Sequence, residues 1–207
     1  MSSSNESTSD PEFSLFLLLC ENHRVRIEEI STQLRAIIPS PAFVPHTTVY
    51  FGSGTPVGGL DALVERAGLT TPPLRVPIVD VQTENLFWRS LYITLAHLPQ
   101  LNHLNGWLHS NIIPYGSYTL FPHLSLLYFD SATSAERDRC QRRATEMLRE
   151  AHLDELLFDR IAAFQRHGPE DAWENVTGWR EIYSATLTGL SDVTSVDQRM
   201  QYDGNRK

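Results

Sequence analysis

Two segments of the chain hold the residues that could do chemistry, and they are spelled almost alike: Val44-Pro45-His46-Thr47-Thr48 and Phe121-Pro122-His123-Leu124-Ser125. Each is a Pro-His dipeptide that enters an apolar, β-prone run, with a hydroxyl residue two places after the histidine. On a strand, residues i and i+2 face the same side, so His46 projects with Thr48 and His123 with Ser125. Two such strands side by side gather two imidazoles and two hydroxyls in one cleft. An unperturbed imidazole titrates near ~6.5, so one ring can take a proton from water while its neighbour gives one to a leaving oxygen. Each of those roles is typically worth about 10²–10⁴ in rate. The hydroxyls of Thr48 and Ser125 can donate hydrogen bonds to the non-bridging oxygens of a phosphate held between the rings. This set suits phosphate chemistry. It calls for no metal and no cofactor, and the sequence offers no carboxylate-rich or His-x-His cluster.

Eight histidines in a chain rich in serine and threonine yield roughly one His-x-Ser/Thr by accident. The two segments rise above that because both follow proline, both open strands, and both occupy the same point in a repeated order of elements. Phe13–Cys20 reads as a buried strand and Asn22–Ile38 as a helix that Pro39 ends. The first motif strand, 46–51, leads through Gly52-Ser53-Gly54 to a short helix over 57–67, then to strands Leu74–Val81 and Phe87–Leu95. A helix over 99–110 and a loop with Pro114 and Gly116 lead to the second motif strand, 123–129. Then come a charged helix, Thr133–Ala151, and strands Leu157–Arg166 and Trp179–Leu187. Motif strand, helix, strand, strand thus occurs twice, which predicts an α+β chain of two related lobes, each a small antiparallel sheet flanked by helices, with the site in the groove between them. Polar tails without periodicity (1–11 and 191–207) bracket a single bilobal domain over 12–190.

Paired His-x-Thr/Ser tetrads in two pseudo-repeated lobes resemble the signature of the two-histidine phosphoesterases. Within that superfamily, Val44-Pro45-His46-Thr47-Thr48-Val49 and Pro122-His123-Leu124-Ser125-Leu126-Leu127-Tyr128 resemble the cyclic phosphodiesterase branch of fungi and plants. The resemblance implies His46 and His123 as catalytic residues and Thr48 and Ser125 as phosphate ligands. It implies nucleoside 2′,3′-cyclic phosphates or ADP-ribose 1″,2″-cyclic phosphate as substrates, opened to leave a 2′-phosphate or ADP-ribose 1″-phosphate. It also leans to His123 as base and His46 as acid. Relatives that process RNA ends or cleave cyclic oligonucleotides share the tetrads and supply the rival readings. A nucleotide-binding module without catalysis is the rival of another class.

Other residues are candidates for substrate contact. Strict alternation turns Tyr50 toward the cleft, where it touches substrate or packs as core. The same alternation turns Tyr128, which matches a family tyrosine, away from the site unless the strand bulges. Trp173, in the loop Gly168–Gly178, is either an aromatic platform for a base or a loop anchor. Trp179 and Phe87 open predicted strands and read as core. Arg89 and Arg180 either steer phosphate or lie solvated on the surface. Gly52-Ser53-Gly54 with Gly58-Gly59 lacks the Gly-Lys-Ser/Thr ending of a phosphate loop and reads as a turn. His97, His103 and His109, six apart, fall on different helix faces and make no metal site.

The whole composition narrows the classes further. With 25 acidic and 17 basic residues the net charge is −8, and no basic stripe is visible, which disfavours stable binding to long nucleic acid. A small cyclic-phosphate substrate remains compatible, because a local pocket can be positive within an acidic chain. Two lone cysteines, Cys20 and Cys140, give no disulfide framework. The acidic N-terminus lacks the basic region of a signal peptide, and Phe13 to Leu19 is far too short to span a bilayer. The expectation is a monomer of the cytoplasm or nucleus with no membrane partner.

Overall fold

The computed structural model describes residues 12–114, 118–165 and 174–190. Both predicted tails and Trp173 lie outside these residues. Strands β1 (Phe13–Leu19), β2 (His46–Gly52), β4 (Leu74–Gln82), β5 (Leu91–Leu95), β7 (His123–Leu127), β8 (Glu155–Gln165) and β9 (Arg180–Thr186) build a seven-stranded sheet in which every pairing is antiparallel. Its path runs β2-β1-β8-β4-β5-β7, with β9 added beside β8. Two short strands, β3 (Thr55–Pro56) and β6 (Ile112–Ile113), pair with each other.

The long strand β8 divides its length between the lobes. Its first part, Glu155–Phe158, pairs with β4, while Phe158–Phe164 pairs with β1 and Arg160–Gln165 with β9. One lobe is therefore β2, β1, the far end of β8 and β9. The other is β7, β5, β4 and the near end of β8. The two sequence halves are interleaved: β4 and β5, which follow the first motif, lie in the second motif's lobe, and β9 with the far end of β8, which follow the second motif, lie in the first motif's lobe. The bilobal α+β architecture holds, but neither lobe is a contiguous stretch of chain.

Helix α1 (Glu21–Leu34) buries Ile27, Ile30 and Leu34 on one face, and α3 (Pro99–Ser110) buries Leu101, Leu104 and Leu108, each at helical spacing. Helix α4 (Ser134–Glu150) opens with a reciprocal cap. The Glu136 amide donates to the Thr133 hydroxyl at 3.3 Å, and the Thr133 amide to the Glu136 carboxylate at 2.8 Å. Helices α1 and α4 pack together, α4 against β4 and β5 and α1 against β7, while α3 packs on β2. Helix α2 (Leu60–Thr70) lies on β8 and β9, and Gly68 is the point of contact. A Cβ there would stand 2.7 Å from the Ala185 Cβ and 2.8 Å from the Thr186 carbonyl oxygen. Only glycine allows this approach. The helix predicted over 57–67 starts later because Gly58 and Gly59 take φ of 84° and 98°.

Three other expectations shift. The helix expected to Ile38 ends at Leu34 and closes in a tight turn over 35–38. The strand expected over Phe87–Leu95 is split: Phe87–Arg89 forms a single 3₁₀ turn and the strand begins at Leu91. Ser90, fully buried, is the joint. Its hydroxyl shares its one proton between the Phe87 carbonyl at 2.7 Å and the Phe129 carbonyl at 2.9 Å, and accepts from the Phe129 amide at 3.1 Å. Finally, the motif strands are not hydrogen-bonded neighbours. They are the two ends of the sheet path, and the sheet curls until the ends meet, where the Thr47 hydroxyl donates to the His123 carbonyl at 3.0 Å.

Ser90→Ala should lower stability by about 1–3 kcal/mol, because it leaves the buried amide and carbonyl of Phe129 without their partner. Thermal and urea unfolding measure this, and an unchanged midpoint would show that the joint is not a stabilising element.

Candidate active site

Each motif strand carries the same irregularity at the same place. Opposite β1, Leu15 pairs with Tyr50 and Phe16 with Thr48, leaving Val49 as the extra residue. Opposite β5, Leu91 pairs with Leu127 and Tyr92 with Ser125, leaving Leu126. Both bulges fall three residues after the histidine. A bulge reverses the alternation beyond it, so the fourth residue after each histidine turns into the core and the fifth turns to the cleft. Tyr50 therefore leaves the cleft. It is fully buried, stacks on Phe13 at 5.4 Å, meets His109 edge-on at 5.3 Å, and its hydroxyl donates to the Ser53 carbonyl at 3.0 Å. The expectation that Tyr50 contacts substrate is corrected, and Phe51 takes its place on the cavity wall. By the same device Tyr128 does face the cavity.

The cavity, about 240 Å³, is lined by His46, Thr48, His123 and Tyr128, with an aromatic rim that includes Phe16, Trp88, Tyr118 and Trp179. His46 stacks on Phe16 with ring centroids 3.8 Å apart and meets Trp179 edge-on at 5.5 Å. Trp88 and Trp179 are nearly parallel at 5.8 Å, and Phe87 stacks on Tyr128 at 5.3 Å. The expectation that Trp179 and Phe87 lie in the core is corrected. Trp179 forms a wall of the cavity, and Phe87 backs the Tyr128 ring. Sequence reasoning does not single out Phe16, Trp88 or Tyr118. The one usable signal is alternation along β1, where Ser14 and Phe16 share the face opposite Leu15 and Leu17.

The two imidazoles are held alike. His46 Nδ1 lies 2.7 Å from the Val44 carbonyl and His123 Nδ1 lies 2.8 Å from the Phe121 carbonyl, in both cases two residues back. A carbonyl only accepts, so each Nδ1 carries the proton and each Nε2 is the nitrogen left for chemistry. The intervening proline keeps the chain extended and removes an amide that would compete for the carbonyl. Thr48 sits on the wall with its carbonyl accepting from the Tyr118 hydroxyl at 3.1 Å. The bulge carbonyl of Val49 accepts from the Asn105 side chain of α3 at 2.8 Å. That bond satisfies a backbone group which the end strand leaves without a ladder partner. Ser125, 3% exposed, lies just behind the wall. Its hydroxyl donates to the Trp88 carbonyl at 3.4 Å.

Burial dominates the electrostatics. It pushes His46 down to about 4 against the pull of the Val44 carbonyl, with His123 adding a small repulsion. His123 is lowered too, again by burial first, with Arg89 lowering it further and Glu84 opposing. Arg89 pairs with Glu84 at 3.3 Å and covers the Phe121 ring at 5.2 Å, which places a cation beside His123 rather than on the open surface. Arg180 is exposed at the start of β9. Gly52 and Gly54 form a turn and not a phosphate loop, with Gly54 pressed against Ile112 and the backbone of Ile113 and Pro114. Among the described residues no group of three or more His, Cys, Asp or Glu could hold a metal ion, and no helix is long and apolar enough to cross a membrane.

No family model matches the chain. The chain is 26% identical over 184 residues to a cyclic phosphodiesterase of Arabidopsis thaliana, covering 83% of this chain and 96% of that one. Among solved structures, TT0787 of Thermus thermophilus superposes with a TM-score of 0.54 at 14% identity, covering 86% of this chain and 98% of that one. LigT of E. coli, in apo form, gives 0.53 at 15% identity with the same coverage; it is also known in complex with 3′-AMP and with phosphate. The relative and both structures belong to the two-histidine phosphoesterases, and the resemblance carried by the two motifs extends to the whole fold.

A histidine whose folded pKa is depressed rejects a proton that the unfolded chain accepts below ~6.5. Stability therefore falls as pH drops from ~6.5 toward 4, by up to about 1.4 kcal/mol per pH unit for each such ring. His46→Gln, which cannot titrate, should flatten the Tm-versus-pH curve in that window. An unchanged slope would mean that His46 is not buried in its neutral form.

Proposed function

We propose that this protein, a two-histidine phosphoesterase by its fold and its paired motifs, hydrolyses nucleoside 2′,3′-cyclic phosphates or ADP-ribose 1″,2″-cyclic phosphate. The observation that carries the reading is the convergence of two imidazoles, each oriented through Nδ1 by a backbone carbonyl, on one aromatic-rimmed cavity. The Arabidopsis cyclic phosphodiesterase supports the reaction class. LigT, of the same fold, binds 3′-AMP and phosphate, which are ligands of the class proposed.

The reaction needs a water in line with the bond that breaks. One neutral imidazole takes a proton from that water through Nε2 as oxygen attacks phosphorus. The other, protonated, gives its proton to the departing ribose oxygen, so the ring opens to a phosphomonoester and a free hydroxyl. Thr48 donates to a non-bridging oxygen from the cavity wall. The aromatic rim excludes water, which strengthens each of these contacts, and offers flat faces to a base. With His123 as base and His46 as acid, as the resemblance implies, cleavage at the 3′ oxygen leaves the 2′-phosphate.

Both rings are neutral near pH 7 before substrate arrives, because burial lowers both. The proton for the leaving group is therefore taken up along with the anionic substrate, whose charge raises the pKa of the rings beside it. The reading assigns all of this chemistry to side chains, so full turnover should persist in EDTA. The acidic balance of the chain favours a small substrate over a long RNA.

His46→Ala and His123→Ala should each lower kcat by about 10³-fold or more, and Thr48→Ala by about 10²-fold, on adenosine 2′,3′-cyclic phosphate in EDTA. Separation of 2′-AMP from 3′-AMP identifies the bond cut. Full activity in either histidine variant, or none without added metal, would overturn the mechanism.

Because both imidazoles are held below the ordinary histidine value, the profile of kcat/KM against pH should be a bell with its optimum below ~6.5. Binding of 2′-AMP near pH 7 should take up protons, measured by calorimetry in buffers of different ionisation enthalpy. An alkaline optimum with no proton uptake would show that the rings are already charged in the free protein.

A further inference from the structure

Beside His46 lies a second groove of about 540 Å³. Phe16, His46 and Trp179 line both spaces, which sets the groove next to the histidine cavity. Phe43 and Phe164 form its apolar side, and Thr32, Arg35 and Thr177 its polar side. Glu28 also reaches the groove, where its carboxylate oxygens accept from Arg24 Nη1 at 2.7 Å, a guanidinium that it shares with Glu21. Arg35 has no such partner. It is half-buried, its Nη2 donates to the Thr32 hydroxyl at 2.7 Å, and it makes no ion pair among the described residues.

A guanidinium in a partly desolvated groove, with no carboxylate in ion-pair contact, favours an anion, and its fork matches phosphate oxygens in pairs. The C-terminus of α1 does not repel one strongly, because the carbonyls of Ser31, Gln33 and Leu34 already accept from the amides of residues 35–38. Size points the same way. Ligand sites commonly run from about 300 to 1,000 Å³, so the 240 Å³ catalytic cavity holds little beyond the reacting nucleoside phosphate, while the groove has room for a further nucleotide. We propose that Arg35 anchors a second phosphate subsite, which selects small substrates bearing another phosphate group beyond the cyclic one. This inference rests on the phosphodiesterase reading above and adds a determinant of which substrate is preferred. A single cation in a chain of net charge −8 fits one added phosphate and not a polymer track.

Two measurements test it. In the first, kcat/KM is compared for adenosine 2′,3′-cyclic phosphate, ADP-ribose 1″,2″-cyclic phosphate and the adenosine dinucleotide that ends in a 2′,3′-cyclic phosphate. An RNA of about twelve nucleotides with the same end is included to detect polymer binding. The two substrates with phosphate beyond the cyclic group should exceed the mononucleoside by about tenfold or more. Arg35→Ala should remove most of that advantage and Arg35→Lys only part of it, with both variants matching the parent in thermal unfolding. Whichever of the two is preferred identifies the second group as a pyrophosphate or a phosphodiester. The second measurement is calorimetric binding of adenosine 2′-phosphate and adenosine 2′,5′-bisphosphate, which needs no turnover. The bisphosphate should bind about tenfold tighter, and Arg35→Ala should abolish the difference.

Equal loss on every substrate in Arg35→Ala, or no bisphosphate advantage in the parent protein, would overturn the subsite. A twelve-mer that outpaces the dinucleotide would replace it with a polymer track. Absence of turnover on all substrates would instead overturn the phosphodiesterase reading, and the binding experiment would still decide the role of Arg35.

Discussion

The structure depends on a single shared strand. β8 supplies its near end to one lobe and its far end to the other, so the lobes are joined by a continuous backbone ladder and not only by side-chain packing. The motif strands lie at the two ends of the sheet path, and it is the curl of the sheet about β8 that brings them together. One hydroxyl, Thr47 on the His123 carbonyl, fixes the meeting point. Because that bond ends on the backbone of the second histidine, the separation of the imidazoles is a property of the main chain. Groups that must share a phosphate have to be placed to a fraction of an ångström, and a ladder is stiffer than a loop.

Around that frame the two halves of the site repeat one local design. Proline keeps the chain extended, the carbonyl two residues back takes the Nδ1 proton, the hydroxyl residue follows on the same face, and a bulge then turns the next aromatic inward. His46 and His123 differ in their neighbours more than in their geometry. His46 is enclosed by Phe16 and Trp179, whereas His123 has the Arg89–Glu84 pair within electrostatic reach. Equivalent backbones with unequal surroundings are a simple way to give two identical side chains different proton affinities.

Much of this was legible in the residues. Alternation placed His46 with Thr48 on the cavity wall, whereas Ser125, expected there beside His123, lies behind it, and helical spacing located α1, α3 and α4 to within a few residues. The bulges were not legible, since an extra residue opposite a partner strand leaves no trace in one strand's own pattern. For that reason Tyr50 and Phe51 exchanged places. Lobe membership was hidden for a similar reason: element order does not say which strands pair, and here the pairing crosses between the halves. Trp88 was missed because the run Phe87–Leu95 looks like one strand, while Ser90 breaks it with hydrogen bonds to residues far away in sequence.

The interleaving has a consequence for how the chain reaches its native state. β1 and β4 have no common partner until β8 arrives, and β8 begins only at residue 155. A growing chain thus carries the β8-facing edges of β1 and then β4 unpaired until β8 has been made, and few of its decisive contacts are local. Such topologies close late and comparatively slowly, with exposed edges open to wrong pairing in the meantime. Neither half can be released first as a finished domain, so both lobes become complete together, when β8 takes its place between them.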